Sequence, residues 1–519
     1  MRSIHKTPLL VSGLFSLASL AGAQIQLTGP STMPTGQRAE GPLFADFNGD
    51  GVLDLAVTTN GTGNLDLVEV FRGLGDGTFQ AATTVFLANG SGPNGLCAAD
   101  FNGDGNLDIA VSLKNTNQVQ VLAGQGNLNF LAGAATGVGG DEPRQISAVD
   151  MDGDGDRDLV VSLNGTSEVA VLANQAGSMT LIGAFAAGDD VRDHATGDFD
   201  GDGDIDVATA SHDDRTVRVL SNNGSGSLSM GATLSVHGAT RPAGLAAGDL
   251  DGDGDLDLVA ACGDGTNPAL NMAGIFRNDG GVFAGPFNVV TGHVDADDVV
   301  LADFSGDGLL DMALSHLSDG AITLHEGLGG LVFAAPVMVQ TNPFAGDMAA
   351  ADLDGNGGVD LGAIGRQSAG VQIFLNAEGG LGSSYCTANA NSTGFSARCT
   401  ATGSAVAAAN NFTLTCDRMP NGQFGFFLMG QTQGFVANPG GSLGNLCLGG
   451  SIGRLNQIIL NSGAAGLVST PVDLIQMPTP STPVAVIGGQ TWNFQCWYRD
   501  LVGGQSVSNF SDGYSVLFQ

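Results

Sequence analysis

The chain has 519 residues, 82 of them Gly and only 13 % charged, with 52 Asp+Glu against 17 Lys+Arg for a formal charge of −35. So much Gly argues against a mostly helical protein, and a hydrophobic fraction of 43 % argues against disorder. The acidic excess leaves nucleic acid no place as a partner, because phosphate binding needs a dense basic surface.

The N-terminus reads as a leader. MRSIHK is a basic opening, PLLVSGLFSLASL a short apolar stretch, and Ala21-Gly22-Ala23 a small-residue cleavage site before Gln24. Residues 1–23 are expected to be a signal peptide, which places the protein outside the cell or on its surface. The apolar stretch is shorter than the ~20 residues a membrane span needs. No later segment qualifies, so no transmembrane segment is expected.

From there one nonapeptide recurs seven times, at intervals of 48 to 54 residues. The copies are DFNGDGVLD from Asp46, DFNGDGNLD from Asp100, DMDGDGDRD from Asp150, DFDGDGDID from Asp198, DLDGDGDLD from Asp249, DFSGDGLLD from Asp303 and DLDGNGGVD from Asp352. A short apolar run precedes each loop (GPLFA, GLCAA). A Val/Ile/Leu-rich run follows it (LDLAVT, LDIAVS), then a second (VEVFRG, VQVLAG), then a Gly/Asn turn and a third. That makes four short strands per unit, A to D, with the acidic loop between A and B. Seven such units predict an all-β fold: a seven-bladed β-propeller over residues 24–380. The seventh unit has no convincing strand D, and the segment AQIQLTGPSTMP has no blade of its own. The N-terminal segment is therefore expected to supply that strand and seal the ring.

Oxygen-bearing side chains fall at positions 1, 3, 5 and 9 of each loop. They are Asp46, Asn48, Asp50 and Asp54 in the first and Asp100, Asn102, Asp104 and Asp108 in the second. The third, fourth and fifth carry only Asp: Asp150, Asp152, Asp154 and Asp158; Asp198, Asp200, Asp202 and Asp206; Asp249, Asp251, Asp253 and Asp257. The sixth has Asp303, Ser305, Asp307 and Asp311, and the seventh Asp352, Asp354, Asn356 and Asp360. Hard oxygens at this density suit Ca²⁺, which takes six to eight of them, so up to seven Ca²⁺ are expected. Mg²⁺ suits the pattern less, since its octahedron usually keeps several waters. An EF-hand would need Glu at position 12. Here that position holds Val57, Val111, Val161, Thr209, Ala260, Leu314 and Ala363. By carboxylate count the third to fifth loops rank strongest and the sixth weakest.

The loops and their spacing resemble FG-GAP/VCBS repeats, the units of integrin α-chain propellers and of many secreted bacterial proteins. The resemblance covers about residues 24–380. It implies calcium on the lower face and a ligand on the opposite face. The function it suggests is an extracellular binding or adhesion module for a glycan or a protein. A polysaccharide-acting enzyme, a lyase or glycosidase, and a purely structural envelope protein are the alternatives. On the upper face the cations and histidines cluster in D–A segments (Arg38, Arg144, Arg192, His194, His237, Arg241, His293) and B–C segments (Lys114, His212, Arg215, His316, Arg366). They would make a basic patch for an anionic glycan, unless long polar loops simply host polar residues. Catalysis has little support: Gly440-Gly441-Ser442-Leu443-Gly444 fits a nucleophile elbow, but no His follows it in the chain. We expect no enzyme.

Residues 381–519 lose the repeat. Their short apolar runs predict a small β-sandwich, with Trp492, Phe494, Cys496 and Tyr498 alternating along one half-buried strand. Asp500 and Asp512 read as turn residues. The pattern LCLGGSIGR, WNFQCWYRD and SNFSDG resembles a C-terminal module recurring in secreted bacterial proteins, which suggests surface attachment or sorting. Five of the seven cysteines (Cys386, Cys399, Cys416, Cys447, Cys496) fall here, which predicts disulfides with one thiol left over and the pairing open.

Overall fold

The run after each acidic loop needs no polar alternation, because the strand it forms is covered on both faces. Asp108–Leu113, Asp158–Leu163, Asp206–Ser211 and Asp311–His316 are buried along their whole length. We analysed a computed structural model. It describes residues 25–518 apart from 26, 37, 61–64, 81–82, 239, 264–270, 307, 319, 341–344, 366–369, 377–382, 387, 390, 394–395, 404–406, 408–409, 411, 456–458, 464–465, 481 and 503–504. The expected leader, Asp307 and Arg366 lie outside the described residues.

Seven four-stranded antiparallel sheets follow one another, each running A-B-C-D from the centre outwards. Blade 1 is Ala39–Ala45, Asp54–Asn60, Asp66–Phe71 and Thr83–Phe86. Blade 4 is Val191–Gly197, Asp206–Ser211, Thr216–Asn222 and Leu228–Ser235. Strand D lies outermost and is mostly exposed, as in Phe130–Gly137 of blade 2. Blade 7 takes Ala345–Ala351, Asp360–Gly365 and Gly370–Asn376 from its own repeat. Its fourth strand is Leu27–Pro34, which pairs antiparallel with Gly370–Asn376. This is the seal expected from the missing strand. The innermost strands touch in succession, and Ala345–Ala351 packs against Ala39–Ala45 to close the circle.

The core lies at the junctions between blades. Phe47 of blade 1 packs with Leu96 and Ile109 of blade 2, and Phe101 of blade 2 with Ile146 and Leu159 of blade 3. The second residue of every acidic loop (Phe47, Phe101, Met151, Phe199, Leu250, Phe304, Leu353) is buried in this way. Each loop is thus bolted to the junction beside it.

The C-terminal body begins with Ser383–Cys386, paired with Gly513–Leu517. Its larger sheet carries Thr491–Val502, whose Trp492, Phe494, Cys496 and Tyr498 point into the core as the alternation requires. A second sheet of Arg398–Gly403, Phe412–Asp417 and Val468–Pro471 supplies the facing layer, with Leu414 and Cys416 in the same core. One disulfide joins Cys386 to Cys447, while Cys399, Cys416 and Cys496 are buried thiols. Among the described residues no helix is long and apolar enough to cross a membrane.

Candidate metal centres and the central cavity

Gly at position 6 lets the acidic loop fold over its own first carboxylate. Gly155, Gly203 and Gly254 hold φ near +95 to +99°, where a Cβ is strained. In blade 3, Asp150 accepts N–H from Gly153 (2.8 Å) and Gly155 (3.1 Å), one on each oxygen. At position 9, Asp158 is fully buried. One of its oxygens accepts the Met151 N–H (2.8 Å) and the other the Asn174 N–H at the end of strand C (2.7 Å). Blades 1, 2, 4, 5 and 7 repeat the ninth-position scheme, and in blade 6 the Ser305 N–H takes the place of the position-2 N–H. A carboxylate can accept such bonds and still offer lone pairs to a cation.

Blades 3, 4, 5 and 7 bring positions 1, 3 and 9 together. In Asp150/Asp152/Asp158, Asp198/Asp200/Asp206, Asp249/Asp251/Asp257 and Asp352/Asp354/Asp360, one oxygen from each residue lies within 4.8 Å of the others. The position-5 carboxylates of blades 3, 4 and 5 are not among the oxygens grouped this closely. Asp154, Asp202 and Asp253 each accept the position-7 N–H at 2.9–3.0 Å. In blade 1, Asp50 does the same and also pairs with Arg72 at 2.8 Å. Buried Oδ1 atoms of Asp152, Asp251 and Asp352 have no hydrogen-bond partner. A buried polar atom without a partner is costly, and a cation is the partner that suits a carboxylate oxygen facing two others.

Blades 1 and 2 are different. Asn48 donates through Nδ2 to both oxygens of Asp54 (3.0 and 3.2 Å), and Asn102 donates to Asp108 (3.3 Å). The amide thus occupies the carboxylate that a cation would use. In blade 6, Ser305 donates its N–H to Asp311 (2.7 Å) and its hydroxyl to Asp303 (3.4 Å). Burial, reinforced by the neighbouring carboxylates, pushes Asp54 and Asp206 up to about 6 and Asp360 up to about 7, against two backbone N–H bonds on each that pull down.

Sequence reasoning passed over the residue that closes strand C. In blades 3, 4, 5 and 7 it is Asn174, Asn222, Asn278 and Asn376, all buried. Each donates Nδ2 to the position-2 carbonyl of the preceding blade: Phe101, Met151, Phe199 and Phe304, at 2.7–2.8 Å. In blades 1, 2 and 6 the same place holds Gly73, Gly124 and Gly327. A Cβ there would sit only 2.0–2.2 Å from a backbone carbonyl. The signal was in the sequence, as LANQ, LSNN, FRND and FLNA against FRGL, LAGQ and HEGL.

The seventh loop has a lid. Arg398 of the C-terminal domain donates to the Asp354 carbonyl (2.9 Å) while paired with Asp417 (2.7 Å). Arg418 donates to the Gly75 carbonyl of blade 1 (3.0 Å). Burial raises Asp352, and the Arg398 charge acts against it.

At the opposite end of the strands the first residues of every strand A surround a central cavity of about 730 Å³. In blades 4, 6 and 7 a bulge in strand A turns one carboxylate towards the next blade. Asp193 accepts the Leu245 N–H (2.8 Å), Asp298 the Met348 N–H (2.7 Å) and Asp347 the Gly41 N–H (3.0 Å). Burial pushes Asp193 up to about 7 and raises Asp298 well above its usual range. Six acids (Glu40, Asp66, Asp193, Asp297, Asp298, Asp347) line the cavity with four bases (Arg38, Lys114, Arg144, Arg192). The expected basic patch is therefore not what this face presents. Its cations are also spent locally: Arg192 on Asp190 (3.0 Å), Lys114 on Glu142 (3.4 Å) and Arg241 on Asp213.

Ser442 is buried and donates to the Gly444 carbonyl (2.9 Å) in a turn that leads from Thr432–Val436 to Leu446–Gly449. It is not a strand-to-helix elbow. Asp512 lies in the short connection between Gln505–Phe510 and Gly513–Leu517, as a turn residue should, but Asp500 does not sit in a turn. Asp500 lies inside Thr491–Val502 and accepts the Ser392 N–H (3.0 Å), and Asp512 accepts the Cys399 N–H (2.5 Å).

Among solved structures the chain is similar to BBS1N in its complex with ARL6DN, at 11 % identity and TM-score 0.48, covering 68 % of this chain and 97 % of that one. It is similar to a protein from Lactobacillus plantarum at 13 % identity and TM-score 0.45, covering 62 % and 88 %. A third is virginiamycin B lyase from Staphylococcus aureus, at 9 % identity and TM-score 0.43, covering 68 % and 99 %. No curated protein matches the sequence. Residues 46–111, 150–209, 198–260 and 303–363 match the model of the FG-GAP-like repeat, and these stretches contain all seven acidic loops. With those loops set between the inner strands of four-stranded blades, the first two thirds of the chain form a β-propeller of FG-GAP-like repeats.

Proposed function

We propose that this protein is an extracellular binding module whose propeller is braced by calcium. The observation that carries the reading is the set of four three-carboxylate clusters in blades 3, 4, 5 and 7, three of which hold a buried oxygen with no partner. Positions 1, 3 and 9 would hold each ion, and an all-oxygen donor set favours Ca²⁺ over transition metals. The ion supplies charge neutralisation and a cross-link between the start of the loop and strand B. Blades 1 and 2 form a weaker second class, because the Asn48 and Asn102 amides already donate to the ninth carboxylate, and blade 6 joins them because Ser305 replaces the carboxylate at position 3. The leader-like N-terminus and the Cys386–Cys447 disulfide support export. The central cavity is the seat for a ligand, a glycan or a protein segment, and no catalysis is required of it.

An enzyme acting on polysaccharide draws on Asp193, whose value near 7 would suit a general acid. Both its oxygens, however, accept backbone N–H groups, from His194 and Leu245. The carboxyl is engaged in stitching blade 4 to blade 5.

Calcium at ten times Kd contributes about 1.4 kcal/mol per site, so four sites give about 6 kcal/mol and a shift in Tm on the order of 10 °C. Calorimetric melting in calcium and in EGTA measures it, with isothermal titration counting the ions. A melting temperature indifferent to chelation would overturn the proposal.

A further inference from the structure

We propose that the groove beside the Cys386–Cys447 bridge on the C-terminal domain is a binding site for a neutral oligosaccharide. The groove encloses about 630 Å³ and is lined by Tyr385, Asn389, Gln433, Phe435 and Asn445 together with Cys386 and Gly434. None of these residues is charged, in a chain with 52 Asp+Glu. The central cavity of the propeller, by contrast, is lined by ten charged side chains. A groove without cations does not recognise phosphate, sulfate or uronate, and one without carboxylates does not recognise an amine.

Its chemistry is that of a sugar's two surfaces. A pyranose offers an apolar C–H face and a rim of hydroxyls that each need a donor or an acceptor. Phe435 supplies a flat apolar face and is 66 % exposed. The three amides carry both donors and acceptors. They are already aimed by one another and by the backbone. Asn445 donates to Asn389 Oδ1 (3.2 Å), Asn389 to the Leu443 carbonyl (2.6 Å) and Gln433 to Asn493 Oδ1 (3.2 Å). Each of these bonds fixes an amide plane and leaves its second N–H for a ligand. The Tyr385 hydroxyl donates to the Cys447 carbonyl (2.8 Å), and the disulfide ties the same two segments covalently. A wall held this way has little freedom to lose on binding. Strand addition by a peptide fits less well: the pairing of Thr432–Val436 with Leu446–Gly449 is broken between Gln433 and Val436, and such an irregularity blunts an edge.

The site is independent of the calcium loops and of the propeller cavity. The full-length protein, in calcium, is titrated calorimetrically with neutral gluco-, xylo-, manno- and galacto-configured hexasaccharides. At least one should bind. Phe435→Ala and Asn445→Ala should each weaken it tenfold or more with Tm unchanged, while Arg144→Ala in the propeller cavity leaves it unaltered. No binding by any hexasaccharide at millimolar concentration would overturn the inference. So would full affinity in Phe435→Ala, or a loss caused by Arg144→Ala.

Discussion

Blades 3, 4, 5 and 7 and blades 1, 2 and 6 share a backbone path and differ at two places. In the first group position 3 is Asp and strand C ends in Asn. In the second, position 3 is Asn or Ser and strand C ends in Gly. The two differences belong together. Where the strand-C Asn reaches across to the preceding blade, the loop keeps three carboxylates for an outside cation. Where Gly replaces it, position 3 is an Asn whose amide donates to the ninth Asp or, in blade 6, a Ser, so the loop has no carboxylate at that position. On the proposed reading a metal completes the first group, while the second carries fewer carboxylates for one.

The largest expected contrast comes from the ninth Asp. Asp158→Ala and Asp108→Ala each strip two backbone N–H groups of a buried acceptor, about 3 kcal/mol apiece. Denaturant unfolding should show the two losses alike in EGTA, and Asp158→Ala the more damaging in calcium. Equal losses in both buffers would erase the division between the groups.

Acidity should move the metal-free protein next. Asp54, Asp206 and Asp360 have folded values of about 6, 6 and 7, above the usual 3.8. A raised carboxyl favours the fold while protonated. Its contribution is therefore complete below about pH 4 and fades as pH climbs through 6 to 7. In EGTA, Tm should fall between pH 5 and pH 7.5. In calcium that decline should vanish or reverse, because the ion needs the deprotonated ligands.

The clamp between blades comes third. Asn278→Ala removes the bond to the Phe199 carbonyl and leaves that acceptor buried, at a cost of about 2 kcal/mol in either buffer. The smallest effect falls on the capped loop. Arg398→Gln keeps a donor for the Asp354 carbonyl but removes the positive charge. The seventh site should then bind calcium a few-fold more tightly. A titration indistinguishable from the parent would show that Arg398 is electrically silent there.

How much of this could be read from the residues alone depended on range. The nonapeptide, the missing seventh strand D and the alternation from Trp492 to Tyr498 are local patterns, and each appears in the structure as a loop, a seal and a core strand. The carboxylate count did not single out the seventh loop, which has three like the first and second but places all of them at positions 1, 3 and 9. The partners of Asn174 and Asn376 were out of reach, because they lie 73 and 72 residues away on a neighbouring blade. On the upper face the alternative to a basic patch, polar loops hosting polar residues, fits better. Arg192 meets Asp190 two residues before it, and Lys114 meets Glu142 of the adjoining loop. The carboxylates of Asp193, Asp298 and Asp347 enter the cavity only through a bulge that alternation does not announce.

The pairing of Leu27–Pro34 with Gly370–Asn376 also sets a timetable. A ribosome makes the two halves of that blade at opposite ends of some 350 residues of synthesis. Until the later half emerges, six finished sheets stand as an open arc with an unpartnered strand at the start. Trimming the chain past Pro34 would leave the arc permanently unlocked, however intact its other six sheets.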